Sequence, residues 1–149
     1  MFRQLKRMLG VTFVILALLT LSLTPSAFAD PNMPKPNQNG DYIDQTSHTA
    51  WTVVGSDPNG LNCPMGTQPI EEIWSPDYPG FPPIENWPVV TTLESNEDFQ
   101  AKLSYAGFAT TLDQRFKPWI FIENRQNNAE ANCFVRAHED FVQPVAAFK

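Results

Sequence analysis

Four prolines, Pro76, Pro79, Pro82 and Pro83, crowd the middle of this chain and forbid a regular helix there. Each removes a backbone donor and fixes φ in a range that favours extended, polyproline-like backbone. Elsewhere after residue 30 no amphipathic run reaches the length of an ordinary helix, about 10–15 residues. What recurs instead is a short β-branched or aromatic run followed by turn residues. Trp51-Thr52-Val53-Val54 stops at Gly55 and the turn Asp57-Pro58-Asn59-Gly60. Leu61-Asn62-Cys63 and Trp87 to Leu93 follow. Phe99, Ala101, Leu103 and Tyr105 alternate with polar residues, the period of a strand with one buried face. Ser95-Asn96-Glu97-Asp98 just before it also has the composition of a helix cap. Pro118 to Glu123 is the clearest strand, and Cys133 to Arg136 and Phe141 to Val145 complete the series. Short strands between turn-rich segments, without an internal repeat, predict an all-β sandwich or small barrel.

Residues 1–29 read as a cleavable secretory signal peptide. Arg3, Lys6 and Arg7 precede an apolar run from Met8 to Leu23, and Pro25 and Ser26 lead to Ala27-Phe28-Ala29. The expected cut lies between Ala29 and Asp30. The apolar core is shorter than the roughly 20 residues of a spanning helix, so no membrane anchor is expected after cleavage. Residues 30–48 are rich in proline and amide side chains and read as a flexible linker to a single domain over 49–149. Without the leader, 7 of the 10 basic residues face all 16 acidic ones, a formal charge of −9. That balance argues against nucleic acid or an anionic membrane surface as partner, since both need a cationic face.

Two cysteines, Cys63 and Cys133, lie in the exported part. An even pair outside the cytoplasm is most simply one structural disulfide. A redox pair, which is usually close in sequence, and two free thiols are the alternatives.

Asp57 to Cys63, Trp87 to Leu93, Lys117 to Ile122 and Cys133 to Ala137 fall in an order that resembles the bacterial SH3-like (SH3b) domain family. The family's entry motif D-x-x-x-L-N-V is matched as far as Leu61-Asn62, with Cys63 at its valine, and Pro64 replaces the arginine that follows. Cys133 stands where the family has a glycine before its closing aromatic. The resemblance covers about residues 51–145 and implies an SH3-like barrel with a long Pro/aromatic-rich insertion. First and last strands of such a barrel lie close together, so it also implies that one bridge would pin the barrel shut.

The insertion, residues 64–87, interleaves Trp74, Tyr78, Phe81 and Trp87 with its prolines. In an SH3-like fold it borders a ligand groove, which makes these four aromatics the candidate ligand-binding residues. The competing expectation is a loop folded back over the barrel, its aromatics completing a core that a domain of this size needs.

Catalytic signatures are scarce. His48 falls in the linker segment and His138 in a turn beside Glu139 and Asp140, with no nucleophile marked for either. Asp57-Pro58-Asn59-Gly60 opens like a calcium loop, but its twelfth position is Gln68 where a bidentate glutamate is required. No metal or cofactor is expected. The leading expectation is an exported, non-enzymatic binding module for a peptide, peptidoglycan or an envelope protein. The alternatives are a small secreted hydrolase using acids such as Glu71 or Asp98, and a structural component of the envelope.

Overall fold

A computed structural model describes residues 33–126 and 129–147. The leader and the expected cleavage residues Ala29 and Asp30 lie outside the described residues. The strands are β1 (Ala50–Val53), β2 (Leu61–Pro64), β3 (Val89–Leu93), β4 (Asp98–Ala101), β5 (Thr110–Leu112), β6 (Pro118–Arg125), β7 (Ala129–Arg136) and β8 (Val142–Pro144). Helical elements include one α-helical turn, α1 (Ile70–Ile73), and a 3₁₀ turn over Ile84–Asn86. Both lie in the insertion and each directly follows a proline, Pro69 or Pro83.

The fold is all-β. Strand β6 pairs along one edge with β5 and then β4, and along the other with β7. The sheet continues from β4 to β1 to β8, antiparallel throughout, and curls into a half-barrel. Bulges in the β4–β6 and β6–β7 ladders fall along this curve, where an unpaired residue bends its strand and raises the local twist. Strands β2 and β3 form a separate two-stranded hairpin. Gly60 starts it at φ +82°, where a Cβ would meet the Leu93 carbonyl oxygen at 2.7 Å, so the Asp57–Gly60 turn needs glycine.

No backbone ladder joins the hairpin to the larger sheet among the described residues. The Cys63–Cys133 disulfide joins them instead, β2 to β7, with both cysteines fully buried. First and last strands of this fold, β1 and β8, already pair through their backbones. The bridge therefore fastens the hairpin over the open side of the half-barrel. Across a separation of 70 residues it contributes about 4 kcal/mol in the chain-entropy account. Arg125 adds a second tie: it grips both Glu97 oxygens at 2.6 and 2.8 Å and also donates to the Thr92 carbonyl of β3.

The main core fills the half-barrel with Trp51, Leu93, Phe99, Ile120, Ile122 and Val135, among others. A second core lies on the opposite face of the β6–β7 ribbon, where Trp119, Phe121 and Phe134 meet Ile70, Ile73 and Ile84 of the insertion. Alternation along β6 explains both: even-numbered side chains point into the half-barrel and odd-numbered ones point out.

Two expectations are corrected here. The strand predicted to run through Tyr105 ends at Ala101, and Leu103 and Tyr105 are exposed in the turn that follows. The segment expected as a flexible linker packs onto the domain. Tyr42 is buried, its N–H donates to the Ala137 carbonyl, and its ring meets Trp51 edge-on at 5.1 Å. Gly40 and Thr46 accept backbone hydrogen bonds from Glu139 and Ala109. The packed unit therefore begins before residue 49, and polar composition concealed it because one aromatic supplies the anchor.

Burial of the Tyr42 phenol, with the Glu139 carboxylate adding to it, raises its pKa above the ordinary 10.0. A raised folded-state value leaves stability unaltered below the unfolded pKa of about 10 and removes it as pH climbs through the folded value. Urea unfolding across that range should show the native chain weakening more than Tyr42→Phe. Parallel losses in the two proteins would show that the Tyr42 hydroxyl is not held in the packed state.

Candidate functional site

Where the cover over the second core stops, an open cleft of about 860 Å³ remains, within the size range of ligand-binding clefts. The hairpin and the turn before it supply one wall, with Leu61, Asn62, Pro64 and Val89. Trp87 at the end of the insertion, Trp119 and Arg136 on the β6–β7 ribbon, and Phe141 before β8 also line it.

Several local devices hold these side chains. Asp113, almost fully buried in the β5–β6 turn, accepts the Arg115 and Lys117 N–H groups on Oδ1 at 2.8 and 2.9 Å. Its Oδ2 accepts the Trp119 indole N–H at 2.8 Å, which fixes that ring against the cleft. Trp87 packs on Phe134 with centroids 5.9 Å apart. Its indole also lies against Gly66, where a Cβ would come within 2.8 Å of the ring. Arg136 donates to the Pro118 carbonyl oxygen at 2.6 Å and pairs with Asp41.

Of the four candidate ligand-binding aromatics, the structure brings one to the cleft, Trp87. Trp74 lies edge-on to Phe121 at 5.7 Å and donates its indole N–H to Thr111 Oγ1 at 2.9 Å. Tyr78 is partly buried against the second core. Phe81 is exposed but stands away from the cleft, against Phe116 at 5.3 Å. Cys63 and Cys133 are paired, which places the bridge behind the hairpin wall. Sequence reasoning passed over Trp119, Asp113, Arg136, Phe141 and Asn62 as site residues. The signal for Trp119 was available in Pro118-Trp119-Ile120-Phe121-Ile122, a continuous apolar run that marks a strand buried on both faces.

Both described histidines are structural ties. His48 Nε2 donates to the Ala50 and Val145 carbonyl oxygens at 2.8 and 3.0 Å. His138 Nε2 donates to Asn39 O at 2.8 Å while Nδ1 accepts the Asp140 N–H. Glu71 pairs with Lys102 at 3.1 Å. Its pKa is lowered by a backbone hydrogen bond and by Lys102, the opposite of the shift a general acid needs. Among the described residues no group of three or more His, Cys, Asp or Glu side chains is placed to hold a metal ion. No family model, curated protein or solved structure matches the chain.

Gly66→Ala should displace the Trp87 ring from its present packing, moving its indole N–H resonance and costing about 1–3 kcal/mol by urea unfolding. An unmoved Trp87 signal with native stability would mean that Gly66 is not the seat of that ring.

Proposed function

We propose that this chain is an exported, non-enzymatic binding module and that its ligand lies in the cleft between the hairpin and the β6–β7 ribbon. The observation that carries this reading is the cleft itself. Apolar groups line it, Leu61, Pro64, Trp87, Val89 and Phe141 among them, and Asn62 adds an exposed amide. Apolar lining with a few polar groups is the usual composition of a recognition site. The buried disulfide is in keeping with an oxidising compartment. The signal-like leader and the order of motifs resembling SH3-like domains favour the same class, with peptide, peptidoglycan and envelope protein as the ligands to be tested.

This assigns recognition to the cleft wall and a covering role to Trp74 and Tyr78. Retention on purified peptidoglycan and on immobilised envelope extract should be lost in Val89→Asp and kept in Val90→Asp. The two valines are adjacent and about equally exposed, but only Val89 lines the cleft. Equal retention of the two variants would remove the cleft as the binding site.

A further inference from the structure

Resting on the cleft as the binding site, we infer that its ligand is an extended polypeptide segment carrying a lysine or arginine. Some of the charges around the cleft are already neutralised and others are not. Five charged residues other than histidine line it: Asp57, Glu85, Lys117, Arg136 and Asp140. Arg136 is engaged by Asp41 and by the Pro118 and Ala137 carbonyl oxygens. Glu85 is engaged by Arg115 at 2.6 Å. Neither offers an uncompensated charge to a ligand.

Among the described residues Asp57, Asp140 and Lys117 have no oppositely charged lysine, arginine or carboxylate partner. The Asp57 carboxylate accepts only the Asn59 backbone and side-chain N–H groups among the described residues. Asp140 faces His138 at 3.5 Å and its side chain is 76% exposed. The two aspartates belong to one side of the cleft. Val54 N–H donates to the Phe141 carbonyl, and Gly55 lies against Asp140, which lays the β1–β2 turn beside the turn before β8. Two uncompensated carboxylates against one lysine, in a chain of formal charge −6, leave a negative field over the cleft.

That field repels anionic polymers and attracts a cationic group. The apolar wall formed by Leu61, Pro64, Trp87 and Val89 takes aliphatic or proline side chains. Exposed Asn62, whose side-chain amide has no hydrogen-bond partner among the described residues, presents N–H donors and a carbonyl acceptor to a peptide backbone. Apolar contacts, a backbone-matching amide and a carboxylate pair together describe a basic, extended peptide better than a neutral glycan.

The test uses the full disulfide-bonded chain and three defined probes. The first is an acetylated, amidated heptapeptide of Gly, Leu and Pro with a central Lys, the second the same peptide with Glu in place of Lys, and the third a tetramer of N-acetylglucosamine. Binding is followed by the indole resonances of Trp87 and Trp119, with dissociation constants from titration. The Lys peptide should move both resonances and bind about tenfold more tightly than the Glu peptide, the scale of one charge-assisted contact. Asp57→Asn together with Asp140→Asn should bring that ratio close to one without weakening the Glu peptide, and both residues are exposed enough to leave folding intact. Equal affinity of the two peptides for the native chain, or a preference for the sugar, would overturn the inference while leaving the cleft as a site. If none of the probes moves Trp87 or Trp119, the cleft reading itself fails.

Discussion

A two-stranded ribbon that is apolar on both faces cannot leave either face in water, and the whole molecule is organised around covering β6 and β7 twice. Ile120, Ile122 and Val135 look into the half-barrel. Trp119, Phe121 and Phe134 look outward, onto Ile70, Ile73 and Ile84 of the insertion. Fully burying an aromatic or branched side chain yields about 1.5–3 kcal/mol. The outward face therefore supplies the driving force that orders a proline-rich segment with little regular structure of its own. The prolines assist, because they restrict the unfolded segment as well as the folded one.

The cleft follows from how that cover is built. The insertion returns from the second core through Trp87 directly into β3, so its last aromatic is at once a piece of core and a wall of the site. Among the described residues the hairpin wall has no ladder to the larger sheet and is held by the disulfide, by Arg125 reaching Thr92, and by packing. Position of the wall thus rests on side-chain chemistry, whereas the floor rests on the β6–β7 ladder and on Asp113 gripping Trp119. A rigid floor with a separately fastened wall is a geometry in which the width of the cleft is set by a few named contacts.

Much of the strand content was legible. Trp51 to Val53, Pro118 to Glu123 and Cys133 to Arg136 are β-branched or aromatic runs ending in turn residues, and all lie within strands. Thr110–Leu112 was not, because three residues carry too little pattern to stand out from a loop. Alternation through Leu103 and Tyr105 misled for the opposite reason: spacing by two persisted through a turn that Gly107 shapes at φ +82°. Tyr42 was hidden among amides and prolines. The cleft was not legible at all, since Asp57, Trp87, Trp119 and Arg136 converge only after folding and no spacing in the chain links them. Of the two roles open to the insertion, cover and recognition surface, the structure displays the first for Trp74 and Tyr78 and leaves Trp87 at the cleft.

The insertion is a packed cover of the β6–β7 ribbon. Ile84, fully buried in the second core and remote in sequence from every strand it touches, reads that most directly. Urea unfolding of Ile84→Ala should show a single transition with a loss of about 2–5 kcal/mol, the cost of a large-to-small change in a well-packed core. A native midpoint in Ile84→Ala would mean that the insertion does not pack on Trp119, Phe121 and Phe134, and the second core would have to be abandoned.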